Sequence, residues 1–449
     1  MADSILISGG RIIDPSRGID VIGDVLIADG RIVGESEGIA AISARADSIV
    51  DAKGLVVCPG FIDLHCHLRE PGDTKKETIA TGTRAAARGG FTTVCAMPNT
   101  NPPVDSGYRI QMVYERAEAG GLVRVLPIGC ITKGRYGSEI VDVKEMADAG
   151  AVALSDDGSS VPEYNVLRSA LEAGMACGLT IIEHCEDAEM SAGGVMNEGE
   201  LAGVLGLKGI PETAEEIIVA RDIALSEMTG AHVHIAHVST YGSVYLMRRA
   251  RDSKFAVTAE ATPHHLTMTE ERVAPMSKGL KVDNNAKVNP PLRKGRDVQA
   301  LVAALKEGVI DAVATDHAPH TRADKSGDFA DAAFGISGLE TALGSVMSLV
   351  HRGDMDLSTL IARLTAGPAR ALPRIRELAG GDIGTLKVGA LADVTIFHPD
   401  AEWVVEPILF ASKGKNTPLA GETLKGKVMA TIYGGRIVYQ GDGIDVKKT

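Results

Sequence analysis

Between Cys58 and Leu372 the 449-residue chain repeats one rhythm eight times: a short apolar run of strand length, then a longer stretch rich in Ala, Glu, Arg and Leu. The strand-length runs are Gly60 to His67, Thr92 to Met97, Val123 to Gly129, Ala151 to Ser155, Thr180 to His184, His232 to His237, Phe255 to Ala259 and Ile310 to Asp316. Thr78 to Arg88 and Val166 to Ala176 are such helix-compatible stretches. Strand and helix alternating eight times predicts an α/β fold of (β/α)₈ barrel type, in which chemistry gathers where the strands end.

The two ends of the chain read differently. Ile5-Leu6-Ile7, Arg11-Ile12-Ile13, Val25-Leu26-Ile27 and Arg31-Ile32-Val33 are separated by Gly-Gly, Asp-Pro and Asp-Gly turn signals, the pattern of a small antiparallel sheet. It returns only in Asp393 to Phe397, Trp403 to Val405 and Ala430 to Val438, where Gly434-Gly435-Arg436-Ile437 repeats Gly9-Gly10-Arg11-Ile12. Residues 1–57 and 373–449 are therefore expected to form one small β-sandwich domain flanking a barrel over 58–372.

A formal charge of -13 argues against nucleic acid or an anionic membrane as partner, so an anionic ligand needs locally placed arginines. No apolar run reaches the roughly 18 residues of a membrane span. Met1 to Ile5 carry no basic, then apolar, leader pattern. Six cysteines without paired spacing read as reduced thiols, which fits a cytoplasmic protein.

Polar residues of metal-binding type stand at the strand ends. His65 and His67 are two apart, so in a strand they point the same way and can grip one ion. The second strand ends in Met97-Pro98-Asn99, the fourth in Asp156-Asp157, the fifth in Glu183-His184, the sixth in His237 and the eighth in Asp316-His317. Ligand-type residues at five strand ends predict a metal site on one rim. Alternation places Asp157 inward rather than Asp156, and Asp316 on the opposite face from His317. It puts His237 with Val233 and Ile235, and leaves His232 and His234 as structural residues.

Four longer stretches, Pro59 to Arg69, Met97 to Pro102, Asn289 to Arg293 and Ala314 to His320, resemble dihydroorotases of the long bacterial type within the amidohydrolase superfamily, over nearly the whole chain. The resemblance implies reversible cyclisation of N-carbamoyl-L-aspartate to dihydroorotate in pyrimidine synthesis, with zinc-activated water attacking the cyclic amide. It implies one zinc on His65, His67, Asp157 and Asp316 and a second on Asp157, His184 and His237. Many relatives place a carboxylated lysine at the end of the fourth strand; Asp157 stands there instead, which leaves one or two ions open.

In this pattern Asp316 moves the proton between the attacking water and the ring nitrogen. Arg69, Asn99 and His320 meet the substrate carboxylate, although Arg69 alone reads equally as a surface ion-pair residue. Asn289 is a further substrate contact or a turn residue. Thr321 to Gly338, with Phe334 and Gly335 as expected substrate contacts, is a lid or a plain surface loop. His264 and His265 are supporting or structural residues. The competing readings are a hydantoinase or allantoinase, and a non-catalytic homologue acting as a partner. Self-association and association with aspartate transcarbamoylase are both compatible with the resemblance.

Overall fold

The structure, a computed structural model, describes residues 4–36, 46–275, 279 and 281–448. Met1 to Asp3, part of the stretch read for a leader, lie outside the described residues. Eight parallel strands form the barrel: Phe61–Cys66, Phe91–Ala96, Arg124–Pro127, Ala153–Ser155, Thr180–Glu183, Val233–Ile235, Val257–Ala261 and Ala312–Val313. Two isolated bridges close the ring, Gly129 with Leu154 and Cys66 with His317. The second is backed by the His67 N–H donating to the His317 carbonyl at 2.8 Å.

The seventh strand starts two residues later than the apolar run suggests. Its approach is still a turn, because Lys254 has φ +60° and the Phe255 N–H returns to the Ala250 carbonyl. Several helices begin where a side chain satisfies one of their first N–H groups. Thr78 accepts from Thr81 N at the start of Ile79–Arg88, and Thr240 accepts from Ser243 N at the start of Tyr241–Asp252. On Tyr164–Ala176 the buried face is Leu167, Ala170, Leu171 and Gly174, packed on the strands. Each such leucine contributes about 1.5–3 kcal/mol relative to exposure.

An excursion not foreseen from sequence separates the fifth strand from its helix Thr213–Thr229: helices Ala188–Ser191 and Glu200–Leu205, and a two-stranded sheet of Met196–Asn197 with Gly209–Ile210. Arg293 fastens it, donating at 2.9 Å to both Asn197 Oδ1 and the Ile210 carbonyl.

The chain ends share one nine-stranded sheet. Ile5–Asp14 pairs with Ile19–Ala28 along one edge and, along the other, first with Ser48–Asp51 and then with Val56–Pro59. The change of partner falls at Gly9-Gly10, where the register shifts. A Cβ on Gly10 would lie 2.5 Å from Val57 Cγ2, so only glycine lets the strand pass there. Val56–Pro59 then pairs with Val394–Val404, and Asp445–Lys448 with Ser48–Asp51. Ile7, Ile12, Val25 and Ile27 pack with Val394, Ile396 and Ile432 in one core. No helix among the described residues is long and apolar enough to cross a membrane.

Candidate active site

The first barrel strand delivers His65 and His67 to the same rim, both buried. His65 Nε2 lies 3.3 Å from Asp157 Oδ1 and 3.6 Å from Asp316 Oδ1. His67 Nε2 lies 3.0 Å from Asp316 Oδ1 and 3.6 Å from Asp157 Oδ2. On the other side of Asp157, His184 Nδ1 and His237 Nε2 stand 2.9 Å apart, at 3.7 and 3.5 Å from Asp157 Oδ1. Asp157 thus faces all four imidazoles.

His65, Asp157 and His237 offer ligand atoms within 4.8 Å of one another, and so do His65, His67 and Asp316. His65 Nε2 and Asp157 Oδ1 are buried without a hydrogen-bond partner. Burial by itself would push the Asp157 and Asp316 carboxyls up, but the surrounding imidazoles outweigh it and hold both below the usual carboxylate range. For His65 burial acts downward, yet Asp157, Glu260 and Asp316 raise it well above an ordinary histidine. Two ionised carboxylates among buried imidazoles form a set of nitrogen and oxygen donors that suits a divalent metal.

Beneath His65 runs a hydrogen-bonded chain. Its Nδ1 lies 2.8 Å from Glu260 Oε1, and Glu260 Oε2 lies 3.2 Å from His234 Nε2. His234 Nδ1 meets Thr258 Oγ1 at 2.8 Å, Thr258 Oγ1 meets His232 Nε2 at 3.0 Å, and His232 Nδ1 meets Thr180 Oγ1 at 2.9 Å. With Glu260 ionised, one assignment of protons satisfies every contact: each group from Thr180 onward donates towards Glu260, and His65 donates to it from the other side. Burial lowers His232 to about 4, in keeping with a neutral ring. The chain holds Nδ1 of His65 at Glu260 and so turns its Nε2 to the cluster.

Alternation chooses correctly at the fourth strand. Asp156 turns away and accepts from the Ile131 and Thr132 N–H groups, while Asp157 faces the cluster. At the eighth, His317 turns outward to Glu77 and the Gly338 N–H. At the sixth it fails: His234, not Val233 or Ile235, faces the His65 side through Glu260. The regular strand ends at Ile235, and His237 is swung into the cluster by a positive φ of +32°. His232 and His234 are structural, as expected, but because they lie deeper rather than because they face away.

A cavity of about 240 Å³ opens above the cluster, lined by His67, Arg69, Asn99, Asp157, His184, His237, Asn289, Asp316, His320, Phe334 and Gly335 among others. Every site residue read from the sequence lines it except His65, which is fully buried beside Asp157 and Asp316. Arg69 Nε donates to the Pro319 carbonyl at 3.3 Å. His320 Nε2–H donates to the Phe334 carbonyl at 2.8 Å. Burial, then the charge of Arg69, lowers His320 to about 3, so it is neutral at working pH. Asn99 first serves the ligands, accepting from His67 Nδ1 at 2.8 Å and donating to Asp157 Oδ2 at 3.2 Å. Asn289 Oδ1 is buried without a partner. At Gly335, with φ +136°, a Cβ would lie 2.6 Å from the Ala318 Cβ, so glycine is required for the segment to close on His320.

Arg69, His237 and Asp316 are non-glycine residues with φ of +59°, +32° and +43°. Three such backbones in one site store strain where function fixes side-chain aim. Glu260 and Asp63 escaped the sequence reading. Asp63 accepts from the Thr315 N–H at 2.8 Å and hydroxyl at 2.6 Å, fixing the eighth strand beside the first. Their partners stand 195 and 252 residues away, and only a carboxylate inside an apolar strand run hinted at them. His265 Nε2 donates to the Pro290 carbonyl and supports the Asn289 loop.

A family model described as "Dihydro-orotase-like" matches residues 54–243. A dihydroorotase from Pelotomaculum thermopropionicum is 49% identical over 437 residues, covering 97% of this chain and 98% of its own length. One from Aquifex aeolicus is 45% identical, with 97% and 99% covered. Among solved structures, an L-hydantoinase from Arthrobacter aurescens superposes with TM-score 0.84 at 25% identity, covering 98% of this chain and 96% of that one. A dihydropyrimidinase from Brevibacillus agri superposes with TM-score 0.82 at 22% identity over 97% and 95%, a likeness of fold.

Proposed function

The chain belongs to the dihydroorotase family of cyclic amidohydrolases, and on that premise we propose that it interconverts N-carbamoyl-L-aspartate and dihydroorotate, for pyrimidine synthesis, at the rim cavity with zinc held by His65, His67, Asp157, His184, His237 and Asp316. The observation that carries the metal assignment is the buried pair His65 Nε2 and Asp157 Oδ1, 3.3 Å apart and without hydrogen-bond partners. Zinc there would supply water acidified to about pKa 7 and polarise the amide carbonyl. Asp157, facing both histidine pairs, would serve as a ligand whether one ion or two are bound.

The remaining work falls to side chains. Arg69 offers a planar guanidinium whose parallel N–H groups suit the substrate carboxylate. Neutral His320 and Asn289 complete that wall. Asp316, ionised beside His67, accepts the proton of the attacking water and delivers it to the departing ring nitrogen; in the cyclising direction the transfer reverses. Hydantoinases share the fold, but the relatives at 45–49% identity carry the dihydroorotase name. Six unpaired cysteines support a cytoplasmic setting. Self-association and association with aspartate transcarbamoylase are carried forward as proposals of the family resemblance alone.

The test is metal removal and return. Protein stripped of metal by a chelator should lose ring opening of dihydroorotate and regain it on titration with zinc, saturating at one or two equivalents. Full activity in protein shown by elemental analysis to hold no metal would overturn the assignment.

A further inference from the structure

Two lysines lie buried beside the cavity, and among the described residues every hydrogen bond their ammonium groups make ends on a backbone carbonyl. Lys287 is 2% exposed, and its Nζ donates at 2.8 Å to both the Phe329 and Ala330 carbonyls. It also stands 4.4 Å from the centre of the Phe334 ring and 5.5 Å from that of Phe329. Lys325 is 9% exposed and donates to the carbonyls of Asn284 and Lys287 at 3.1 Å and of Ala333 at 2.7 Å. Burying an ammonium is costly unless hydrogen bonds replace its water, and here carbonyl oxygens do so.

The two lysines exchange places across the site. Lys287 sits on the 284–289 segment and holds carbonyls of the 321–336 segment; Lys325 sits on the latter and holds carbonyls of the former. The Gly335 N–H donates back to the Lys287 carbonyl at 2.9 Å, and Asn284 Nδ2 donates to the Lys325 and Gly327 carbonyls at 3.1 and 2.9 Å. The segments so joined end in Asn289 on one side and Phe334–Gly335 on the other, and all three residues line the cavity.

We propose that Lys287 and Lys325 are positioning residues, a reciprocal clasp that fixes the Asn289 and Phe334–Gly335 walls of the cavity and so sets how tightly the site holds its anionic substrate. This rests on the substrate reading given above. The clasp touches neither the metal-ligand cluster nor Asp316, so it acts on binding rather than on proton transfer. The 321–338 segment is therefore a wall tied down before substrate arrives.

Lys287→Met and Lys325→Met keep side-chain length and remove charge and donors. In the metal-loaded full chain each should raise KM for dihydroorotate by about tenfold or more with kcat within about threefold, the signature of lost uniform binding. Metal content should be unchanged, and amide exchange should quicken in residues 326–335. Where a Met variant does not fold, Asn284→Ala loosens the same tie without stranding a charge, and should raise KM several-fold at constant kcat. Unchanged KM in the folded variants, or a fall in kcat at constant KM, would overturn the clasp. Arg69→Met measured alongside separates the two readings: a raised KM there with none in the lysine variants overturns the clasp alone, and no change in any overturns the substrate wall itself.

Discussion

Nδ1 of His65 lies 2.8 Å from Oε1 of Glu260, and that contact fixes which nitrogen of His65 faces the carboxylate cluster. Held by Glu260 at Nδ1, His65 turns Nε2 towards Asp157 and Asp316, the nitrogen a metal would take once its proton is lost.

Glu260→Gln keeps the shape and removes the charge towards which the Thr180, His232, Thr258 and His234 chain donates. Zinc affinity measured by competition with a chromophoric chelator should fall by about 10- to 100-fold, the usual cost of disturbing a carboxylate behind a histidine ligand. Wild-type affinity would show that His65 needs no such support.

Arg69→Met removes the guanidinium from the cavity wall. A hydrogen bond to a charged group is worth about 1.5–3 kcal/mol, so KM for dihydroorotate should rise by roughly 10- to 100-fold while metal content stays constant. An unchanged KM would return Arg69 to the role of an ion-pair residue.

Burial, then the charge of Arg69, lowers His320 to about 3 from an ordinary 6.5. Between those values the unfolded chain binds a proton that the folded chain refuses, so this group's contribution to stability is whole above pH 6.5 and is lost as pH falls towards 3. His320→Asn should therefore show a smaller drop in Tm between pH 7 and pH 5 than the wild type. Equal drops in calorimetry would place a proton on His320 in the folded protein.

The barrel was legible because its strands are short apolar runs with turn signals between them, and His65-x-His67 and the choice of Asp157 over Asp156 followed from period-2 alternation. His237 was legible as a residue but not as a direction: alternation ends with the strand at Ile235, and a backbone of φ +32° then turns the ring inward. Glu260 on the seventh strand looks like any polar interruption until the fold brings it to His65. Lys287 and Lys325 carry no local pattern at all, since their partners are carbonyl oxygens that every residue possesses. The excursion over 188–210 was missed because its elements are two to six residues long, too short for periodicity to register.

Asp316 bears the proton in this account, held ionised by His67 against the pull of burial. The most direct measurement is kcat for ring opening of dihydroorotate by zinc-loaded Asp316→Asn, with zinc content determined on the same sample. A fall of about 10² to 10⁴, the range for a positioned acid or base, with zinc retained is the predicted result. Wild-type turnover in the metal-loaded variant would contradict it and remove Asp316 from the proton path.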